Sequence, residues 1–487
     1  MARSEVILTA FVAITTPAGV PLCRTGKKFT DSMGRAVLVV RSHAMSSDLI
    51  FASVKRLAAR DVAFGSCKEY DIAMKDEMII NSTRRLPGFC VCLIGAGTVG
   101  GAILDDNLSH SVDVILVDKS REAIETACEK ACMRTPKLRV QWIEPIVEAF
   151  PAARLTRVES SDWIAPAIVI ESVPENLELK QSLFSELVKS FGPDVVLASN
   201  TSNLRISNVF KPLGDNTRCC GLHFFMPVSA RPLVECIPTP HTSEQTKQLC
   251  EQYATQIGKS VLHVQDSPGF VVNRLLAPYL NQSLMLLEFG VSAEQLEEAA
   301  GRFGMPMSPL RLIDTIGIRT AFDSGRVFWQ SFPERLDPSP ILPGMIKATR
   351  KSGQSSGGFY ESEKLSELAG RVIGTYQRAT RSWSTDEVAA LIAIPMWIEA
   401  AEVLASKVVA DCPGVELAMR GGLGYAHAEG FFGYFDAMGK ETLLQRIHAY
   451  GGLFRAMSAK EELMSHLIHA DTSTDAIRRY AGDRLGA

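Results

Sequence analysis

The chain has no long hydrophobic run, no paired cysteine motif and no large surplus of either charge. Its longest apolar stretches, such as Val6 to Ile14, fall well short of the roughly 18 residues that cross a bilayer, so no membrane span is expected. Eleven cysteines are an odd number without a single CxxC, which argues against a disulfide framework or a structural zinc and for reduced, buried thiols. A formal net charge of -3 gives no footprint for nucleic acid. With 46% hydrophobic and 22% charged residues, the chain is composed like a soluble globular enzyme, and its 487 residues allow two to four domains. A cytoplasmic protein is the expectation.

The first 44 residues hold six Lys or Arg against Glu5 and Asp31. That weakly resembles a transit segment, which would direct the chain to the mitochondrial matrix; a start nearer Met74 or Met78 is the other reading. Residues 1–87 therefore stand as an N-terminal extension without an assigned role.

From Phe89 the pattern sharpens. Val91 to Ile94 forms a short apolar run, a glycine turn follows, and helical spacing continues to about Ser109. Further apolar runs at Val114 to Val117, Ala167 to Ile170 and Val195 to Ala198 predict parallel strands with intervening helices, a Rossmann-type doubly wound α/β sheet. After Asn273 strand signals vanish, and Leu275 to Glu288 and Ala293 to Arg302 have the spacing of packed helices. Expected domains are 88–267, 268–365 and 366–487. Pro278, Gly304-Met305-Pro306 and Asp314 to Gly317 reappear as Pro395, Gly424-Tyr425 and Asp436 to Gly439, an internal repeat that predicts two copies of one helical module.

Gly95-Ala96-Gly97-Thr98-Val99-Gly100 lies between a predicted strand and helix, the context in which GxGxxG cradles a pyrophosphate. Gly95 permits the turn, Gly97 lets a ligand approach the backbone, and Gly100 lets helix and strand pack closely. Asp118 stands where a ribose acceptor belongs, which favours NAD over NADP. His223 and Glu235 each interrupt an apolar run, and strands joined by Pro227 to Pro232 would bring them together. By spacing alone, His223 fits a satisfied core histidine at least as well, Ser202 and Asn273 fit caps or loop contacts, and Glu175 with Lys180 fits a solvated helical pair.

Taken in order, these motifs together with Asn200-Thr201-Ser202, His223-Phe224-Phe225, Asp266 to Phe270 and Gly357 to Tyr360 resemble the L-3-hydroxyacyl-CoA dehydrogenase family. The resemblance is to its long type, related to the dehydrogenase part of multifunctional fatty-oxidation subunits, with a 6-phosphogluconate-dehydrogenase-like helical domain in two copies. It implies NAD as cofactor, an acyl-CoA substrate, His223 as base oriented by Glu235, and Ser202 and Asn273 as donors to substrate oxygens. Glu175, Lys180 and Ser202 would lie on the cofactor side. Met226, where the family commonly has asparagine, and Ser355, where it has lysine, depart from the pattern, and Ala426, Ala428 and Glu429 make the second module degenerate. Arg134, Lys137 and Arg139 are candidates for CoA phosphates by position only. A homodimer or a monomer with an internal pseudo-dimer would both fit, with hydratase and thiolase as separate partners. Two further readings stay open: a dehydrogenase of a hydroxy acid lacking CoA, and an NAD-binding scaffold without turnover.

Overall fold

The computed structural model describes residues 7–13, 29–30, 36–43, 90–134, 140–143, 166–352 and 357–484, and the chain divides into two compact units, 1–87 and 88–487. In the first, strands β1 (Ile7–Ala13), β2 (Phe29–Thr30) and β3 (Ala36–His43) form an antiparallel sheet in the order β1-β3-β2. The apolar run near the N-terminus is thus drawn as a sheet strand.

The second unit is organised by an eight-stranded sheet of β4 (Cys90–Ile94), β5 (Asp113–Val117), β6 (Val140–Ile143), β7 (Ile168–Glu171), β8 (Val196–Ser199), β9 (Cys219–Phe224), β10 (Leu233–Pro238) and β11 (Ser260–His263). Their spatial order is β6-β5-β4-β7-β8-β9-β10-β11. β4 to β9 are mutually parallel and follow the doubly wound order, whereas β10 runs antiparallel to β9. Strands buried on both faces need apolar residues at every position, which is why β4 and β7 read as continuous runs. Cys90, Cys92 and Ile94 face a core that continues into the helical region, while Val91 and Leu93 face Ile103 and Leu104 of the helix Thr98–Ser109. The winding reverses between β4 and β7, and the crevice that opens at their carboxyl ends is where such sheets take ligands.

Beyond β11 the regular elements among the described residues are helices, as expected, apart from a hairpin pairing Tyr360–Glu361 with Lys364–Leu365 across Ser362, which has φ 58°. The helix Thr385–Ala405 is apolar apart from Asp386 and Glu387 in its first turn and the buried Glu399 and Glu402, and long enough to cross a membrane, yet 89% of its apolar window is buried in protein. A helix without a polar face belongs in a core, and this one packs on the helices Val272–Glu288 and Ala293–Phe303.

The two helical modules share backbone landmarks. Pro278 and Pro395 each sit inside a long helix, Val272–Glu288 and Thr385–Ala405. Gly304 and Gly424 are both left-handed helix ends, and Gly317 and Gly439 share φ near 90° with extended ψ. Asp314 accepts the N–H groups of Phe359 and Tyr360, as Asp436 accepts that of Thr474.

The modules are joined by a buried chain of charges. Arg274 and Arg335 both donate to Glu399, and Arg335, Lys460 and Tyr480 converge on Glu402.

Candidate active site

The turn after β4 meets the three demands read from its glycines. Gly95 has φ 108°, and a Cβ there would lie 2.5 Å from the Ser172 carbonyl oxygen. At Gly100 a Cβ would lie 1.8 Å from the Gly95 carbonyl oxygen, so only glycine lets the helix close on the strand. At Gly97 nothing stands within 4 Å. That position faces open space, with Thr98 exposed and Val99 half-buried beside it. The helix Thr98–Ser109 begins there with no side-chain cap and no acid in its first turn, which leaves its N–H groups and dipole available to an anion. Asp118, at the end of β5, accepts from Ala96 N at 2.7 Å and Ser120 N at 2.8 Å, so it also braces the turn. These residues fit a dinucleotide: an open glycine, an uncapped helix end and a carboxylate at the neighbouring strand tip.

Glu175 and Lys180 are not a solvated helical pair. Asn176 caps the helix Leu177–Ser190 by accepting from Leu179 N, which leaves Glu175 outside the helix and turns Lys180 inward. Lys180 Nζ, 1% exposed, lies 2.6 Å from Glu171 Oε1 and 3.4 Å from Glu175 Oε2. Glu171, fully buried at the end of β7, also accepts from Ser199 Oγ at 2.6 Å and Val173 N at 2.7 Å. It escaped the sequence reading, although a carboxylate ending the apolar run Ile168 to Ile170 was the available signal. Glu175 Oε1 gathers Thr201 Oγ1, Ser202 N and Asn203 N at 2.5, 3.1 and 3.0 Å, latching the loop after β8 to the loop after β7.

That latch holds Ser202 half-buried between the buried Thr201 and Asn203. Asn273 Nδ2 donates to the Ser202 carbonyl at 3.0 Å, and Asn203 Nδ2 donates to Ser324 Oγ at 3.0 Å. Asn203, Asn273 and Ser324 line one small crevice with Pro268 and Gly269.

His223 and Glu235 are direct cross-strand partners of β9 and β10. Nδ1 lies 2.8 Å from Glu235 Oε2, and both side chains are buried. Phe225 and Phe270 flank the imidazole at centroid distances of 4.6 and 5.7 Å. The other carboxylate oxygen, Oε1, accepts from Val271 N at 3.1 Å and Val272 N at 3.0 Å, at the start of the helix Val272–Glu288. A carboxylate can only accept, so Nδ1 carries the hydrogen, and in the neutral tautomer so fixed the lone pair is on Nε2.

Met226 follows β9 and is 43% exposed, offering no hydrogen bond where the family commonly has a polar side chain. Lys137, Arg139 and Ser355 lie outside the described residues, as does the side chain of Arg134.

Residues 90–267 match the NAD binding domain of 3-hydroxyacyl-CoA dehydrogenase, and residues 269–362 match its C-terminal domain. The structure is similar to that of 3-hydroxybutyryl-CoA dehydrogenase from Escherichia coli K12, with a TM-score of 0.61 at 22% identity over 82% of this chain and 100% of that one. It is also similar to the dehydrogenase part of multifunctional enzyme 1 from C. elegans, with a TM-score of 0.52 at 21% identity over 80% and 89% of the two chains. At these identities the two structures speak for the fold, whereas the domain matches span more than half of the chain. The chain belongs to the 3-hydroxyacyl-CoA dehydrogenase family, and its cofactor is NAD.

Proposed function

We propose that this protein oxidises L-3-hydroxyacyl-CoA to 3-ketoacyl-CoA, in β-oxidation or a 3-hydroxybutyryl-CoA step, with His223 as the general base. The observation that carries this reading is the buried pair of His223 Nδ1 and Glu235 Oε2 at 2.8 Å, which leaves Nε2 as the free basic nitrogen.

Gly95 to Gly100 and Asp118 would hold NAD, which when bound would supply the acceptor for the hydride from the carbinol carbon. His223 Nε2 takes the proton of the 3-hydroxyl, and the imidazolium that forms is stabilised by the Glu235 carboxylate. Phe225 and Phe270 exclude water from the imidazole, which strengthens that stabilisation. Ser202 Oγ and the second Nδ2 hydrogen of Asn273 are donors to the substrate oxygens on which negative charge builds. Glu175 and Lys180 act behind them, holding the Ser202 loop in place.

The test is His223→Gln, assayed by reduction of acetoacetyl-CoA with NADH. Turnover should fall by at least about a thousandfold with NADH affinity nearly unchanged. Wild-type turnover in this variant removes His223 from the mechanism. Activity toward a hydroxy acid lacking CoA, with none toward acetoacetyl-CoA, transfers the site to another substrate.

A further inference from the structure

The crevice beside Asn273 has a closed end. Ser324, Val327 and Phe328 stand three and four residues apart on the helix Ile318–Ser331, so one face of that helix walls it off. The space between them and Asn203, Gly269 and Asn273 is about 10 Å3, enough for roughly one water. Phe328 is 5% exposed, and its ring meets that of Phe332 at a centroid distance of 5.2 Å. With Ala277, Leu336 and Ala456 the two rings form a small apolar cluster separate from the main core.

This end wall is braced from behind. The guanidinium carbons of Arg274 and Arg335 each stand 4.6 Å from the Phe332 centroid, and both groups donate to the buried Glu399. Two cations that share one carboxylate fix Phe332, and pressing Phe328 back against it would overpack a filled cluster, which is itself unfavourable.

We propose that Phe328 sets the length of the acyl chain and confines the site to short-chain 3-hydroxyacyl-CoA, with four carbons favoured. The inference rests on the proposed oxidation of an acyl-CoA at His223. In that reading Asn273 donates to a substrate oxygen, so a substituent of the oxygen-bearing carbon lies in the crevice that Asn273 lines. One substituent of C3 leads through the thioester to CoA, which is far too large for a closed space and must leave toward solvent. The alkyl end is the one that fits. The single methyl of a four-carbon chain is roughly as bulky as one water, whereas two further carbons must displace the Phe328 ring. Removing the ring would join the crevice to the space it now fills, whose remaining neighbours, Phe332, Leu336, Ala277 and Ala456, are all apolar.

The test measures kcat/KM with NADH for acetoacetyl-CoA, 3-ketohexanoyl-CoA and 3-ketooctanoyl-CoA. The parent should favour four carbons over six by at least about tenfold, since one methylene in a fitted apolar pocket is worth roughly 10- to 200-fold. Phe328→Ala should raise the six-to-four ratio by at least about tenfold. Phe328→Leu, which keeps more of the packing should the alanine variant fail to fold, should raise it by a smaller factor. Trp329→Ala, at an exposed position of the same helix, should leave the ratio as it is. Calorimetry of butyryl-CoA and octanoyl-CoA on the NAD-loaded protein makes the same comparison without turnover: the parent should bind the shorter chain more tightly, and Phe328→Leu should narrow the gap. The proposal is overturned if the parent turns over the three chain lengths within threefold of one another, or if folded Phe328 variants keep the parent's ratio. Absence of turnover with all three, while butyryl-CoA still binds more tightly than octanoyl-CoA, would count against the reaction and uphold the pocket.

Discussion

Replacing Glu235 by Gln tests the catalytic reading with almost no change in shape. In the native site Oε2 serves His223 while Oε1 serves the N–H groups of Val271 and Val272, so both oxygens must accept. A glutamine has one acceptor end and one donor end. If its oxygen faces His223, its NH2 confronts two backbone N–H groups; if it faces the backbone, the NH2 forces Nδ1 to accept and places the hydrogen on Nε2. The second arrangement satisfies the buried backbone and leaves His223 in the tautomer that cannot act as a base. Losing one partner of a buried, hydrogen-bonded charge pair costs roughly 2 to 5 kcal/mol. Since the stabilised imidazolium exists only after proton transfer, most of that falls on turnover, and a drop in kcat on the order of a thousandfold is expected. Acetoacetyl-CoA reduction followed at the NADH absorbance gives kcat and KM, with NADH binding measured separately by fluorescence. A kcat within threefold of the parent, in a folded variant, would refute the assignment of the base's tautomer to Glu235.

Gly97→Ala should fold with an unchanged Tm yet bind NADH at least about tenfold more weakly, because its methyl enters open space where the ligand must approach; Gly100→Ala should instead lower Tm, its methyl meeting the Gly95 carbonyl. Glu399→Ala should cost roughly 3 to 5 kcal/mol in urea denaturation, since it leaves the buried Arg274 without its carboxylate; a loss below 1 kcal/mol would mean the charge chain contributes little. The Ser384 N–H, helped by the Tyr450 hydroxyl and Arg446, holds Glu387 down to about 2. Its folded value lies below its ordinary 4.5, so the stabilisation is full above 4.5 and is lost as pH falls toward 2. For this partly exposed cap, Glu387→Ala should cost about 1 kcal/mol at pH 7, and the gap from the parent should close across that interval.

The parallel strands were legible because burial on two faces leaves unbroken apolar runs, and the pairing of His223 with Glu235 followed from two such runs joined by a proline-bounded loop. The glycine turn was legible because each glycine answers a separate steric demand. Lys180 was misread since five-residue spacing from Glu175 looks like a helix surface; the cap at Asn176, which sets where the helix begins, reverses the direction in which the lysine points. Glu171 was passed over for the opposite reason: a carboxylate ending an apolar run was its one signal along the chain, and its partners Lys180 and Ser199 are brought to it by a helix and a neighbouring strand.

The chain of charges from Arg274 through Glu399, Arg335 and Glu402 gives the second helical module a duty of its own. A fragment cut after residue 362, where the family match ends, would keep Asn273 and every candidate catalytic side chain but strand Arg274 in an opened core. Such a fragment is expected to be insoluble. The second module thus cannot be discarded, and recombination at the family boundary would remove the foundation of the helix that carries Asn273.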